Sequence, residues 1–417
     1  MIYDWGMKDT QLYQEIMGLA KPWRVDSVIL KAEERTIEVE VVCDERVWAC
    51  PECGHRAHVH GREERRWRHL DSCQFKTILV AEVPRVKCPE HGTVTVRVPW
   101  AEKHSRFTML FERLAIDVLL ECSTSSAADL LGISWDEADG IKQRAVRRGR
   151  ARKKPRVMKR LCIDEKSFGK RHDYATLVVN PEGGQSTVEF IGDGRKTATL
   201  DGFWQSLSED QLNGVEAVSM DMWEPYLTST RKHLPDPEGK IVHDTFHLIQ
   251  HLNKAVDKVR RLENKELRAQ DDDRLVGSKQ LWLYGMENVP DHWQDRFDDL
   301  RVQKLKTSKA WVLKELFRDI YGCHSVDEAR LFFKGWYDWA VRCALTPVMN
   351  VAKMFKRHLQ QILTVFVHRL TNAASEGINN KVQSLIQKAY GYRNRERFKT
   401  DIFFHCGGLD LYPRLSQ

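Results

Sequence analysis

No stretch of the 417-residue chain approaches the roughly 20 consecutive apolar residues that a membrane-spanning helix needs, so a helical membrane protein is excluded and no membrane partner is expected. The opening Met1-Ile2-Tyr3-Asp4-Trp5 lacks the basic start and apolar stretch of a secretory leader, which points to the cytoplasm. Internal repeats and low-complexity tracts are missing too, so stacked-repeat and tail-like architectures drop out. Acids are missing from one place in particular. Between Arg144 and Arg160, seventeen residues hold ten Lys or Arg and no Asp or Glu. Such a block binds phosphates and releases their counterions, or it is a solvated linker. Arg144, Arg147, Arg148, Arg150, Arg152, Lys153, Lys154 and Arg156 are its candidate nucleic-acid contacts.

What is present suits a globular protein: 42% hydrophobic and 30% charged residues, with a net charge of +7. Length implies two to four folded units. Five of the ten cysteines fall between Cys43 and Cys88. In a reducing compartment that clustering suggests metal rather than disulfides. Cys50-Pro51-Glu52-Cys53-Gly54 and Cys88-Pro89-Glu90-His91-Gly92 share one pattern, with ligands two residues apart, Pro after the first and Gly after the last. Each pair reaches one tetrahedral ion from a tight turn, and a hairpin between them carries the pairs together. One structural Zn²⁺ on Cys50, Cys53, Cys88 and His91 is therefore expected. Cys43 and Cys73 read as packing residues, and His55, His58 and His60 as weaker competitors for the ion. Arg62-Glu63-Glu64-Arg65-Arg66-Trp67-Arg68-His69 reads equally as a phosphate-contacting surface and as a solvated strand face.

Residues 104–148 have helical character. Ala128, Leu131 and Ile133 supply apolar contacts, Gly132 permits a turn, and Ser134 with Glu137 forms a capping box that starts the next helix. This is the logic of a helix-turn-helix, whose second helix runs on into the basic block.

Beyond that block, strands and helices alternate. An apolar strand ends on Asp164, Tyr174–Asn180 and Ser186–Gly194 form two more, and Thr197–Leu207 is a helix. Strands at Val215–Met220 and Lys240–His243 then end on Asp221 and Asp244. The order β-β-β-α-β-α-β is that of an RNase H-like fold, whose first and fourth strands are neighbours. Asp164 then lies beside Asp221, and paired carboxylates repel unless a cation sits between them. Oxygen ligands suit Mg²⁺ or Mn²⁺, and two ions roughly 4 Å apart serve a phosphodiester displacement. A third acid must arrive from elsewhere. Glu376, among Asn, Ser and Gly at the start of one helix expected over 371–400, is the candidate; complementation of a helix dipole explains it equally well. Residues 251–370 read as almost entirely helical, with Trp282, Trp293, Trp311, Trp336 and Trp339 mainly in the core and one or two open to stacking on a flipped base.

Several blocks occur in a specific order: the two knuckles, Arg65-Arg66-Trp67-Arg68-His69-Leu70-Asp71, Asp164-Glu165-Lys166-Ser167-Phe168, Asp221-Met222-Trp223-Glu224-Pro225-Tyr226, His243-Asp244-Thr245-Phe246-His247, Ser375-Glu376-Gly377-Ile378-Asn379 and Gly391-Tyr392-Arg393-Asn394. Over nearly its whole length the chain resembles the ISL3 family of bacterial insertion-sequence transposases. The resemblance implies a DDE enzyme that cleaves insertion-sequence ends and transfers strands into target DNA. Its triad would be Asp164, Asp221 and Glu376, holding two Mg²⁺ or Mn²⁺ ions. The implied partners are double-stranded DNA, as terminal inverted repeats and target, and a second protomer or more in a synaptic complex associated with the nucleoid. Asp244 and His247 resemble an Asp-x-x-His element that supports the triad, His247 orienting the scissile phosphate or serving structure alone. One departure is Ala373, where the family pattern has Gly.

The fold class expected is multidomain α+β. Residues 1–100 form a zinc-binding β domain, 104–150 a helix-turn-helix DNA-binding domain and 151–160 a basic linker. The first part of an RNase H-like α/β core covers 161–250, an all-helical insertion 251–370, and the final core helix and tail 371–417. Two other readings stay open: a zinc and helix-turn-helix repressor with an inactive core, and an RNase H-like nuclease that does not join.

Overall fold

A computed structural model of the chain describes residues 7–168, 173–370 and 373–415. It divides into two compact units, one of residues 1–153 with 403–405 and 409–417, the other of 154–402 with 406–408.

The first unit begins with helix α1 (Asp9–Ile16) and strands β1 (Trp23–Lys31), β2 (Thr36–Cys43), β3 (Val47–Ala49), β4 (Arg56–Arg68), β5 (Lys76–Cys88) and β6 (Gly92–Thr95). The sheet order is β1-β2-β5-β4-β3, with β6 also on β5. Alternating residues turn Val39, Val41, Leu79, Ala81 and Val83 inward, the period-two pattern of a sheet with one buried face. Trp23, Trp67 and Trp100 close that core in edge-to-face contacts. Strands β4 and β5 form the antiparallel hairpin expected between the two knuckles.

Helices α2 (Met109–Glu121), α3 (Thr124–Leu131) and α4 (Trp135–Arg152) complete this unit. The turn follows the sequence pattern closely. Gly132 caps α3 at φ 62°, a left-handed conformation that costs a side-chain-bearing residue about 1–2 kcal/mol. Ser134 and Glu137 form the reciprocal capping box of α4. That helix runs through the first residues of the expected linker, to Arg152. The tail also belongs here, not with the final core helix, because Arg148 donates to the Leu411 carbonyl and Arg152 to that of Tyr412.

The second unit holds a five-stranded sheet of β7 (Arg160–Ser167), β8 (Tyr174–Asn180), β9 (Thr187–Asp193), β10 (Ala217–Met220) and β11 (Ile241–His243), in the order β11-β10-β7-β8-β9. Strands β7, β8 and β9 are antiparallel, while β10 is parallel to both β7 and β11. Helices α5 (Thr197–Gln205), α6 (Glu209–Asn213) and α7 (Glu224–His233) connect these strands. Their core includes Leu161, Ile163, Trp204, Val218 and Tyr226.

After β11 the chain is helical: α8 (Thr245–Arg268), α9 (Asp291–Arg301), α10 (Lys306–Arg318), α11 (Val326–Arg342), α12 (Thr346–Arg357), α13 (Leu359–Leu363) and α14 (Val365–His368). These helices bury a hydrophobic cluster of their own. Trp282, Trp311 and Trp336 lie in it, Trp293 packs on its side, and Trp339 is exposed. Two helices follow, α15 (Ala373–Lys388) and α16 (Arg395–Cys406), where a single one was expected over 371–400. The break lies where Tyr390 and Gly391 both adopt positive φ, which no α-helix continues through. Thr371 and Asn372, part of the motif around Glu376, lie outside the described residues. Among the described residues no helix is long and apolar enough to cross a membrane.

Candidate functional site

Two constellations of candidate residues stand out. In the first unit, β3 delivers Cys50 and the end of β5 delivers Cys88, and the β4–β5 hairpin brings the knuckles face to face. Cys50 Sγ lies 3.9 Å and Cys88 Sγ 3.6 Å from His91 Nδ1, and Cys53 Sγ is 3.5 Å from Cys88 Sγ. A zinc ion bonded to three sulfurs and one nitrogen places its ligand atoms about 3.5–3.8 Å apart, so the four side chains fit it. All four ligand atoms lie within 4.8 Å of one another. Burial works against ionisation of Cys88, but hydrogen bonds from the His91 side chain and from backbone outweigh it and hold the thiol below its usual range. Cys43 is buried in the β2 core and Cys73 is exposed; neither joins the cluster.

The second constellation sits at the carboxyl ends of three parallel strands. Cys162 of β7 pairs with Ser219 of β10, so Asp164 and Asp221, each two residues further on, arrive at one level on neighbouring chains. Met220 of β10 pairs with His243 of β11, which brings Asp244 level with Asp221. Asp164 does not end its strand, since β7 continues to Ser167 and pairs Asp164 with Leu177. The added length comes from antiparallel pairing with β8, which supports β7 beyond the end of β10.

Hydrogen bonds hold each acid. Asp164 Oδ1 accepts from the Glu165 backbone N–H at 2.7 Å, while Oδ2 accepts from Asn379 Nδ2 at 2.6 Å and from Ser375 Oγ at 3.3 Å. Asp221 Oδ1 accepts from the Met222 N–H at 2.6 Å. His247 lies between the other two, with Nδ1 3.9 Å from Asp221 and Nε2 3.6 Å from Asp244. Asp244 is buried and caps α8 by accepting from the Phe246 N–H. His251, one turn after His247, is pushed toward its neutral form by burial, with the Asp221 charge opposing. Lys166 donates to the Asn379 carbonyl at 3.3 Å, and burial lowers its pKa against the pull of Asp164.

Glu376 is exposed on α15, one residue after the buried Ser375. Among the described residues only the Cys50, Cys53, Cys88 and His91 group draws three or more ligand atoms within 4.8 Å, so Asp164, Asp221 and Glu376 stand further apart than that. Ser375 and Asn379 were not singled out by sequence reasoning. Their i, i+4 spacing, which puts both on one face of α15, was the available signal.

Arg195 is a second such residue. Its guanidinium lies 4.3 Å from the ring centroids of both Tyr174 and Trp223, and Nη1 donates to the two Glu165 oxygens at 3.1 and 3.0 Å. Trp223 Nε1 returns a hydrogen bond to the Arg195 carbonyl at 2.9 Å. One side chain thus ties the residue after Asp164 to the segment after Asp221. Because an ammonium has no planar face to lay on two rings while it bonds a carboxylate, Arg195→Lys is expected to lower stability by about 1–2 kcal/mol, nearly as much as Arg195→Ala. Denaturant midpoints check this, and a Lys variant as stable as the native protein would refute it.

Several cations of the basic block are paired within the fold, although most of the block is exposed. Arg144 and Arg148 bond the buried Glu112, Arg148 also bonds Glu102, Arg152 pairs with Asp410, and Arg156 with Glu189. Arg150 lies over Phe403, and Lys153 caps α4. Arg147 and Lys154 are exposed.

Three segments of the chain match family models. A family model described as Transposase, of the DDE ISL3 type, matches residues 161–402. A zinc-finger model of transposases IS204/IS1001/IS1096/IS1165 matches residues 46–91, and a helix-turn-helix model of transposase family ISL3 matches 96–146. The chain is 25% identical to the transposase for insertion sequence element IS1557 of Mycobacterium tuberculosis, over 93% of each chain. It is 26% identical to the transposase for insertion sequence element IS1001 of Bordetella parapertussis, over 87% of this chain and 90% of that one.

Proposed function

Because the chain belongs to the ISL3 family of insertion-sequence transposases, we propose that it cleaves DNA at the ends of its element and joins the freed ends to target DNA. The observation that carries this reading is the level pairing of Asp164 and Asp221 on parallel neighbouring strands. The sheet order supports an RNase H-like core, with the helices between α8 and α14 as its insertion. Support for Glu376 comes from its place on α15, since Ser375 before it and Asn379 after it both bond Asp164.

The donor set is hard oxygen, which fits two Mg²⁺ or Mn²⁺ ions on Asp164, Asp221 and Glu376. Bound there, such ions supply activation of the nucleophile and stabilisation of the leaving oxygen. The protein's own share is positioning. The Glu165 N–H, Ser375 and Asn379 fix the plane of the Asp164 carboxylate, the Met222 N–H fixes that of Asp221, and His247 braces Asp221 against Asp244. Water is the first nucleophile and the freed 3′-hydroxyl the second, so no covalent protein intermediate is needed.

Double-stranded DNA is the partner, as terminal inverted repeats and target. Two or more protomers hold the paired ends, in the cytoplasm at the nucleoid. Incubating the full chain with duplexes bearing the element's ends and Mg²⁺ should yield both cleaved and joined products. A shifted band without cleavage would instead mark a repressor, and cleavage without joining a nuclease.

A further inference from the structure

Two cavities in the first unit form one groove along α4. The larger, about 960 Å³, is lined by Arg65 of β4, by residues 94–98, by Lys103 and His104, and by Arg144, Arg147 and Arg148. The smaller, about 400 Å³, is lined by His104, Arg106, Asp136, Gly140 and Arg144. His104 and Arg144 line both, so the cavities adjoin. One wall is the zinc-bearing sheet and its outgoing loop, and the other is the exposed face of the second helix of the helix-turn-helix.

The charges in this groove divide sharply. Arg144 and Arg148 are committed to Glu112 and Glu102, and Lys103 to Glu52. Among the described residues, Arg65, Arg97, Arg106 and Arg147 form no ion pair with a carboxylate, and Arg97 instead donates to the Pro51 carbonyl. Arg65 lies against the Trp67 ring, at 5.2 Å, which steadies it. Three guanidinium groups engaged by neither a carboxylate nor a carbonyl thus line these cavities, beside the acids Glu63, Asp136 and Glu137 and above a layer of arginines already neutralised from beneath by Glu112. Guanidinium groups fork to phosphate oxygens, and a row of them along a groove suits a polyanion rather than a single anion. From Asp136 to Ala151 the α4 wall runs about 22 Å at 1.5 Å per residue, room for about six base steps of one strand. Cavities of this size accept a length of strand, not a whole duplex.

We propose that this groove seats the sugar-phosphate backbone of one DNA strand, with Arg65, Arg106 and Arg147 as its phosphate contacts. The assignment rests on the chain's binding DNA as its family does, and adds where one strand lies and which cations hold it. It makes the zinc-bearing sheet and the helix-turn-helix two walls of a single site. Since phosphates carry no sequence, these three residues contribute affinity equally for any duplex.

The test is a salt titration of binding by the full chain, read by fluorescence anisotropy, on an element-end duplex and on an unrelated duplex of the same length. Each lost phosphate contact lowers the slope of log K against log salt by about 0.9. Arg65→Ala/Arg147→Ala should therefore flatten the slope by about 2 units, with equal losses on both duplexes, and Arg106→Ala should remove about one more. Lys87→Ala, an exposed cation on β5 that lines neither cavity, should leave the slope unchanged. Zinc content and melting report folding, and Arg65→Gln/Arg147→Gln keeps the packing of the stems if the alanine pair proves unstable. A native slope in the folded double variants overturns the assignment, as does a loss confined to the element end. Absence of salt-dependent binding in the native protein would instead remove the DNA-binding reading beneath it.

Discussion

Asp164→Asn and Asp221→Asn should each lower end cleavage about a thousandfold or more while DNA affinity stays native. A thousandfold loss corresponds to about 4 kcal/mol of transition-state stabilisation. Because the acids act as a unit, the double variant should be scarcely worse than either single one. Glu376→Gln belongs to the same class, and it is the decisive member. Local geometry offers Asp244 as a rival, level with Asp221 and joined to it through His247. Asp244 also caps α8, so it must be tested with a residue that keeps the cap. If Asp244→Ser retains most activity and Glu376→Gln has none, the triad stands as proposed. The opposite pair of results would transfer the third position to Asp244. Ser375→Ala and Asn379→Ala should show smaller losses, about tenfold each, since they orient Asp164 rather than replace it.

Removing zinc should have the second large effect. Structural zinc sites contribute about 10–16 kcal/mol of apparent binding free energy, more than a small domain's whole stability. Cys50→Ser or His91→Ala should therefore empty the site and unfold the sheet around it. The second unit, with separate hydrophobic cores, should keep its own melting transition. Metal analysis should give one zinc per native chain and none in these variants, with DNA binding lost in parallel. Cys73→Ser is the control, because Cys73 is exposed and outside the cluster. A native first unit after complete zinc loss would show that the Trp23, Trp67 and Trp100 core suffices alone.

How much of this was legible in the chain varies with the range of the interaction. The helix-turn-helix was readable because its signals are local: a glycine at positive φ and a capping box span six residues. The zinc ligands were readable because thiolates and imidazole with two residues between them can reach a common ion wherever the chain goes. Strand order was readable up to the ends of elements. It failed at Asp164, where antiparallel pairing with β8 carries β7 past the acid, and at Tyr390, where one expected helix is two.

The basic block shows the opposite case. Composition offered it as phosphate contacts or a solvated linker without distinguishing its members, and the fold pairs Arg144 and Arg148 with Glu112, more than thirty residues away, and Arg152 with Asp410, 258 away. A buried carboxylate demands partners, and only the packing of α2 against α4 determines which arginines supply them.

The chain alone thus offered the candidates for the chemistry: the zinc ligands, the turn and the acids Asp164, Asp221 and Asp244, with Glu376 supplied by the family resemblance. These depend on residue type and short spacing, and survive any arrangement of the rest. Tertiary structure decided what each group faces. It set Asn379 and Ser375 on Asp164, His247 between two aspartates, and Arg195 across Glu165, Tyr174 and Trp223. It also left Arg65, Arg106 and Arg147 without a carboxylate partner beside a helix on which Arg144, Arg148 and Arg152 are paired. The physical reason is that charge pairing and hydrogen bonding act over a few ångströms in space, and sequence distance carries almost no information about which distant groups will meet there.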